Sequence, residues 1–284
     1  PRAIAEPDGT SRLTRARSLD GFDSSQLSRG DVVIVNGEGM MHSRSGHLIR
    51  LLGILDLARR LGCRTAVINQ TVDVDPPSDK AALLCAVYKG LDAVWVRDTD
   101  SLELLHRLGV AQARMVPDAA FAAPIPDRAR VASVVARHAL PDRFVAMTGS
   151  SALSKRDGAL FESVFCKVRA TFDLPVIILA STKTDLKLAQ ALQARYPAVR
   201  IVDSRVDYLD IVAILSAADA LIGGRFHPTI FAALTGTPVL GFCGNTHKIS
   251  GMLKMIKYPV DEVTWNDGDM QDQALRRLLQ EGPL

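Results

Sequence analysis

Arg225 and His227 stand two positions apart, just after the pair Gly223-Gly224, and they are the first residues whose types suggest chemistry. Arginine offers a planar fork of donors that matches a carboxylate or a phosphate. Histidine can give a proton to a leaving group or to a vinyl carbon, or hold an oxyanion when charged. Around them, residues 220–242 read as strand, turn, helix, turn, strand. Ala220 to Ile222 end a short apolar strand, and Gly223 and Gly224 suit a sharp turn with close backbone approach to a ligand. Pro228 fits the first turn of a helix whose buried face is Ile230, Phe231, Ala233 and Leu234. A cation and a titratable imidazole at a helix start make an anion site. The structural alternative is a histidine that caps the helix and an arginine in an ion pair.

Other polar clusters stand at the ends of predicted strands. Asn245, Thr246 and Lys248 follow the strand Val239–Phe242, where a lysine adds positive charge to an anion site. The loop from Thr148 to Arg156 offers hydroxyls, including Ser150, with the cations Lys155 and Arg156, a set suited to phosphate or carboxylate. It lacks the GxxxxGK[ST] pattern of a P-loop. Near the start, Asn36-Gly37-Glu38 and His42 end the strand Val32–Val35. A carboxylate between two glycines can serve as general base toward a sugar hydroxyl or bind hydroxyls directly; the alternative is a turn with Glu38 in solvent. That loop does not fit GxGxxG, and Asn69 and Gln70 occupy the place of a ribose-binding acid, so NAD is not expected. Arg97 ends a further strand and could face a cleft. Asp118 either joins it or holds the turn between domains. No motif asks for a metal, and no cysteine has a base partner that would make it a nucleophile.

These clusters need a frame to hold them. Residues 1–30 are polar, show no clear strand, and include a loop or lid at Ser18–Ser25. Val32–Val35 reads as a strand buried on both faces. Helices follow at Leu48–Leu61, Asp79–Lys89 and Thr99–Leu108, with strands at Arg64–Asn69, Ala93–Val96 and Arg114–Asp118. After the proline-bearing break at Ala122–Asp127, Arg128–His138 reads as a connecting helix. A second series then places strands at Phe144–Met147, Pro175–Ala180 and Val199–Val202, before the stretch at 220–242. Its helices are Gly158–Thr171, Asp185–Arg195 and Tyr208–Ala217, with Lys248–Ile256 and Asp272–Leu279 closing the chain. Alternating β and α elements imply parallel sheets. The expected architecture is α/β, two Rossmann-like domains with parallel sheets facing a cleft, spanning 1–125 and 126–284. Ligands in such sheets sit beyond the carboxyl ends of the strands, where the polar clusters fall.

Totals narrow the class. The 284 residues are 48% hydrophobic and 23% charged, an ordinary globular composition. A net charge of +3, with a pI near 8.8, does not demand nucleic acid, and no basic run interleaved with aromatics is present. No apolar run reaches the length of a membrane span. The opening residues carry no signal-peptide pattern, so a cytoplasmic location is expected. The chain starts on Pro1 rather than Met, which leaves open whether the native N-terminus is present. Cys63, Cys85, Cys166 and Cys243 are scattered in apolar segments and read as buried free thiols of a reducing compartment.

The segments Arg225–Phe242 and Lys248–Leu253 resemble the C-terminal signature of the polysaccharide pyruvyl transferase family. So do Asn36–His42 after its apolar strand, Val96–Ser101 and Val116–Phe121, in the right order over residues 31–256. The resemblance implies a GT-B-like fold. It also implies transfer of the enolpyruvyl-derived group of phosphoenolpyruvate onto two hydroxyls of a sugar in a surface glycan or lipid-linked precursor. The product is a pyruvate ketal, phosphate is released, and no cofactor is needed. Carried onto this chain, Arg225 binds the donor with Gly223, Gly224, Asn245, Lys248, Ser150, Lys155 and Arg156 around it, and His227 protonates the methylene carbon. Glu38, with Asn36, Gly37, His42 and Arg97, addresses the acceptor. One departure stands out: family members usually open with a strand and a Gly-Asp loop before the Gly-Glu-Gly segment, and residues 1–30 show no such strand.

Two other readings use the same residues. A GT-B-like glycosyltransferase could hold the phosphate of a nucleotide sugar, a CMP-linked keto-sugar among them, on the Gly-Gly-Arg-Phe-His loop. A non-catalytic glycan- or anion-binding module would keep the fold and bind without turnover. Oligomeric state, acceptor sugar and ketal stereochemistry are not written in the sequence.

Overall fold

The computed structural model describes residues 2–5, 12–15, 23–203 and 205–281. The chain divides into two compact units, Pro1–Val116 and Pro117–Leu284. The division falls nearer the N-terminus than the expected 125/126. Residues 117–125 go with the second unit because the 3-10 turn Ala119–Ala122 packs on a helix of that unit, Phe226–Thr235.

The first unit begins with a difference from expectation. Arg2–Ala5 (β1) and Arg12–Arg15 (β2) pair antiparallel as a two-stranded sheet, where no strand was expected. Of the expected loop or lid at 18–25, residues 18–22 lie outside the described residues, and Ser24–Gln26 form a 3-10 turn capped by Asp23. The main sheet runs β3 (Val32–His42), β4 (Arg64–Asp73), β5 (Ala93–Val96) and β6 (Arg114–Met115), all parallel and in that order. Between them lie α1 (Leu48–Arg60), α2 (Asp79–Tyr88) and α3 (Thr99–Arg107). Each new strand is added on the same side of the last, so right-handed crossovers carry all three helices to one face. Val35, Val67, Val94 and Val96 are buried there against Leu52, Leu55, Leu84 and Leu105. The opposite face carries Val32, 60% exposed, Ile34, 58%, and Trp95, 41%. The expectation that Val32–Val35 is buried on both faces therefore fails: a run of apolar residues does not reveal how many helices will cover it.

The second unit is covered on both faces. Its parallel sheet has the order β11 (Val239–Gly241), β10 (Ala220–Gly224), β7 (Val145–Ser150), β8 (Val176–Ala180), β9 (Arg200–Asp203). From β7 the chain winds outward through α5 (Gly158–Phe172) and α6 (Lys183–Arg195) to β9. It then returns through α7 (Tyr208–Ala217) to the other side of β7 and continues through α8 (Phe226–Thr235). Reversing direction puts α5 and α6 on one face and α7 and α8 on the other. Alternate strand residues feed two cores: Ala146, Ile177 and Leu221 pack with Val212, Ile230 and Met252, while Val145, Ile178 and Ile222 pack with Phe161, Phe165 and Leu188. Every residue of β7, β8 and β10 is buried, as strands enclosed on both faces require. α4 (Arg128–Arg137) lies on α7, tied by Asp210, which accepts from Arg130 and, at 2.7 Å, from Arg137. α9 (Lys248–Met255) and α10 (Gly268–Glu281) complete the unit. Among the described residues, no helix is long and apolar enough to cross a membrane.

Candidate functional site

Strand order locates the site in the second unit. Winding reverses between β7 and β10, and at such a switch point the loops after the two strands part and leave a crevice beyond their carboxyl ends. Here those ends are Thr148-Gly149-Ser150 and Gly223-Gly224-Arg225.

Gly223 and Gly224 are not the turn expected of them; both lie inside β10. Gly223 has φ +148°, and a Cβ there would sit 2.5 Å from the Thr148 carbonyl oxygen and 2.9 Å from its nitrogen. A Cβ on Gly224 would meet Ser150 Oγ at 2.6 Å and the Phe242 carbonyl at 2.8 Å. These glycines let β10 close onto β7 and onto the chain beyond β11, at a register shift between Ile222 and Gly224. Their contribution to a ligand is therefore indirect: they set how tightly the two strand ends converge.

Arg225 is the N-cap of α8. Its Nη2 donates to Asp185 Oδ1 at 2.7 Å and to Thr182 Oγ1 at 3.0 Å, and its side chain is only 16% exposed against 0% for Asp185. Asp185 and Thr182 form the capping box of α6. One carboxylate thus closes the start of α6 and holds the guanidinium at the start of α8. The arginine expected to be a free anion-binding fork is already in an ion pair, with its Nε buried and unbonded. Asp185 and Thr182 were missed, although Thr-x-x-Asp before a helix is a readable capping signal; what the sequence could not show was the arginine 40 positions along the chain.

His227, on the first turn of α8, is half exposed. Its Nε2 lies 3.9 Å from Oδ1 of Asp118, whose side chain is 1% exposed. The Phe226 ring stands edge-on to the imidazole at 5.7 Å between centroids. Asp118 opens the 3-10 turn at Ala119–Ala122 and accepts from the Ala120 amide at 2.8 Å. Weighed as a cleft residue or as the holder of the turn between domains, Asp118 caps that 3-10 turn and has the histidine beside it.

Lys248 begins α9 and its Nζ donates to Ser151 Oγ at 3.2 Å and Asn245 Oδ1 at 3.1 Å. Ser151 Oγ also donates to Asn245 Oδ1 at 2.8 Å and accepts from the Asn245 amide at 3.0 Å. The loops after β7 and β11 are thereby stitched together, with a partly exposed cation between them. Ser150 is fully buried; its hydroxyl donates to the Cys243 carbonyl at 2.7 Å and accepts from the Ala152 amide at 3.1 Å, so it builds the loop. Ser151, not singled out in the sequence, is the hydroxyl that meets the lysine. Lys155 and Arg156 are exposed farther along the same loop. Burial pushes the Cys243 thiol above its ordinary pKa, which disfavours a thiolate there. Cys166, expected to be buried, is exposed.

In the first unit, β3 continues through the Gly-Glu-Gly segment instead of ending in a turn. Glu38 has φ +41° and the neighbouring Asn69 on β4 φ +53°, each at a register shift. Left-handed backbone at non-glycine residues is strained and concentrates at functional places. Asn36 Nδ2 donates to Glu38 Oε1 at 3.0 Å, and Asn69 Nδ2 donates to Asn36 Oδ1 at 3.3 Å, an outward-facing amide–carboxylate row in which Asn69 was missed. Gly37 is buried, with Gln70 Cβ 2.7 Å from where its own Cβ would be. His42 and Arg97 are both buried, and Arg97 donates from Nε to Thr71 Oγ1 at 3.1 Å, within a network that runs on to Asp98, the N-cap of α3.

Comparison with known proteins agrees with this frame. No curated protein matches the chain in sequence. Among solved structures, the UDP-GlcNAc 2-epimerase of Methanocaldococcus jannaschii superposes with a TM-score of 0.61 at 12% identity, over 89% of this chain and 71% of that one. S. aureus MnaA in complex with UDP gives 0.62 at 14% identity, over 88% and 66%. Anabaena HepE in complex with UDP and glucose gives 0.56 at 12%, over 88% and 69%. At these identities the likeness is one of fold: α/β with two parallel sheets, of the GT-B type. A family model described as polysaccharide pyruvyl transferase matches residues 4–245. Spanning most of the chain, that match shows that the protein belongs to the polysaccharide pyruvyl transferase family.

Proposed function

We propose that this protein transfers the enolpyruvyl-derived group of phosphoenolpyruvate onto two hydroxyls of one sugar in a surface polysaccharide or its lipid-linked precursor, working in the cytoplasm. The methylene carbon gains a proton, the central carbon gains bonds to two sugar oxygens, and its bond to the phosphate oxygen breaks. Of the two hydroxyl protons, one balances the new methyl group and the other leaves with phosphate. His227 supplies the proton to the methylene carbon, generating an oxocarbenium-like centre that the first hydroxyl attacks. Lys248 supplies accessible positive charge for the donor's carboxylate and phosphate, with Ser151 and Asn245 fixing its ammonium group. Arg225 contributes a charge shared with Asp185, and Lys155 and Arg156 add longer-range attraction. Glu38, with Asn36 and Asn69, takes the acceptor hydroxyls.

One observation carries this reading: a half-exposed imidazole at the switch point of the second sheet, backed by a buried carboxylate. Its test is phosphate release and the pyruvyl mass gained by a candidate glycan incubated with phosphoenolpyruvate. His227→Ala should lose about 100-fold or more of turnover while its circular dichroism stays that of the parent. Near-normal turnover in that variant would sink the proposal. The competing donor is a nucleotide sugar, a reading encouraged by the UDP held in the MnaA and HepE structures. Thermal shift separates the two, since a ligand at a hundredfold excess over its Kd stabilises by about 2.7 kcal/mol. Stabilisation by UDP or CMP but not by phosphoenolpyruvate would favour the nucleotide sugar.

A further inference from the structure

We infer that Asp185 is a built-in counterion of the donor site: it limits Arg225 to a one-sided contact with an anion and holds down the affinity of the site for phosphate. Asp185 is thus a positioning residue that acts through Arg225 and lets the released anion go. That the released anion is phosphate rests on the proposed reading; the counterion itself does not.

The donors of Arg225 can be accounted for one by one. A guanidinium carries two hydrogens on each Nη and one on Nε. Nη2 donates to Asp185 Oδ1 at 2.7 Å and to Thr182 Oγ1 at 3.0 Å, so both of its hydrogens are engaged. Nε is buried and makes no hydrogen bond. Nη1 is what remains for a ligand. A fork that could grip a phosphate through two parallel bonds is reduced to one arm.

The carboxylate is held in place from several sides. It has 0% exposure, and its other oxygen accepts from the Thr182 amide at 3.0 Å. The end of β7 leaves room for it: a Cβ on Gly149 would run into Asp185 Oδ1 and sit 3.0 Å from Cγ. Because β8 and β10 flank β7, the pair spans the carboxyl end of β7, where the crevice opens. Enclosed charges act through a lower effective dielectric than surface charges, so Asp185 cancels much of the pull that Arg225 exerts on an arriving anion. An unopposed arginine would hold the phosphate product as firmly as the phosphate of the donor.

The test is calorimetric titration of the full chain with inorganic phosphate, repeated on Asp185→Asn. Asparagine keeps the size, and its carbonyl can still accept from the Thr182 amide. Phosphate should bind about tenfold tighter to the variant, the worth of one charge-assisted hydrogen bond. A residue that served only as a helix cap would give weaker or equal binding when replaced. Adding Arg225→Gln to Asp185→Asn should abolish the gain, because the two side chains act as one unit. In turnover with phosphoenolpyruvate, Asp185→Asn should lower KM and kcat together, with phosphate inhibiting at about tenfold lower concentration. Asp185→Ser, which leaves room for water beside the guanidinium, carries the same prediction should the amide not fold. Phosphate affinity equal to or below the parent's in a folded variant overturns the inference, whether or not the parent uses phosphoenolpyruvate. So does a gain that survives in the double variant. If phosphate binds tighter but the parent turns over no phosphoenolpyruvate, the counterion stands and the donor assignment fails.

Discussion

Arg225→Ala is the perturbation that most cleanly separates folding from chemistry. It removes the guanidinium from a carboxylate with 0% exposure and leaves Asp185 buried without its countercharge. Removing one partner of a buried ion pair costs about 3–5 kcal/mol. Asp185 keeps the Thr182 amide at 3.0 Å on its other oxygen, and Arg225 itself is 16% exposed, so the low end, about 3 kcal/mol, is expected. A double variant, Arg225→Gln with Asp185→Asn, removes both charges and keeps hydrogen-bonding groups on each side. It should recover most of the loss, leaving about 1 kcal/mol, because neighbouring substitutions in one network are not additive. Urea unfolding followed by circular dichroism gives the three stabilities, and phosphate release on the same samples gives activity. A folded but inactive double variant would assign the charge of Arg225 to the donor. An Arg225→Ala protein within about 0.5 kcal/mol of the parent would refute the reasoning, since a carboxylate so enclosed cannot lose its partner without cost.

Three more expectations follow from the same geometry. Gly223→Ala should destabilise more than Gly236→Ala: both have left-handed φ, but only Gly223 has Thr148 in the way, while Gly236 faces open space. Gly236→Ala should cost about 1–2 kcal/mol and Gly223→Ala at least about 1 kcal/mol beyond that, read as shifts in urea midpoint. Asp210→Ala should loosen α4 from α7 by about 1–3 kcal/mol, and a cycle with Arg137→Ala, which donates to it at 2.7 Å, should show coupling. Lys248→Ala should weaken phosphoenolpyruvate binding about tenfold, the worth of one charge-assisted hydrogen bond, while the protein stays folded by circular dichroism; equal affinity in calorimetry would remove the lysine from the donor site.

The second sheet was legible in the sequence almost strand by strand, because strands enclosed on both faces read as continuous apolar runs, as Val176–Ala180 does. The same rule misled at Val32–Val35, where only one face is covered. Gly223-Gly224 read as a turn because glycine marks turns more often than close strand contacts, and the contact is with Thr148, far along the chain. The position of His227 at a helix start was readable from Pro228 and the apolar residues after it. Its carboxylate was not: Asp118 reaches it through the packing of a short 3-10 turn on α8. Arg225 shows the limit plainly. Its charge was visible in the sequence, but Asp185, which already neutralises it, becomes visible only when β10 and β8 flank β7 and bring the starts of α8 and α6 within hydrogen-bond reach at one end of the sheet.

The uncovered face of the first sheet has a practical consequence. The protein has two tryptophans, one in each unit. Trp95 lies on that face, 41% exposed, whereas Trp265 is 5% exposed, 4.4 Å from the Phe242 ring, and donates from Nε1 to the Cys243 carbonyl at 3.2 Å. They amount to two built-in optical labels of opposite character. Trp95 should emit to the red and be quenched by iodide, and Trp265 should emit to the blue and be shielded. Substituting Trp95→Phe leaves a protein whose tryptophan emission comes only from beside the loop that carries Asn245 and Lys248, so a ligand settling there can be followed by light without a substrate being consumed.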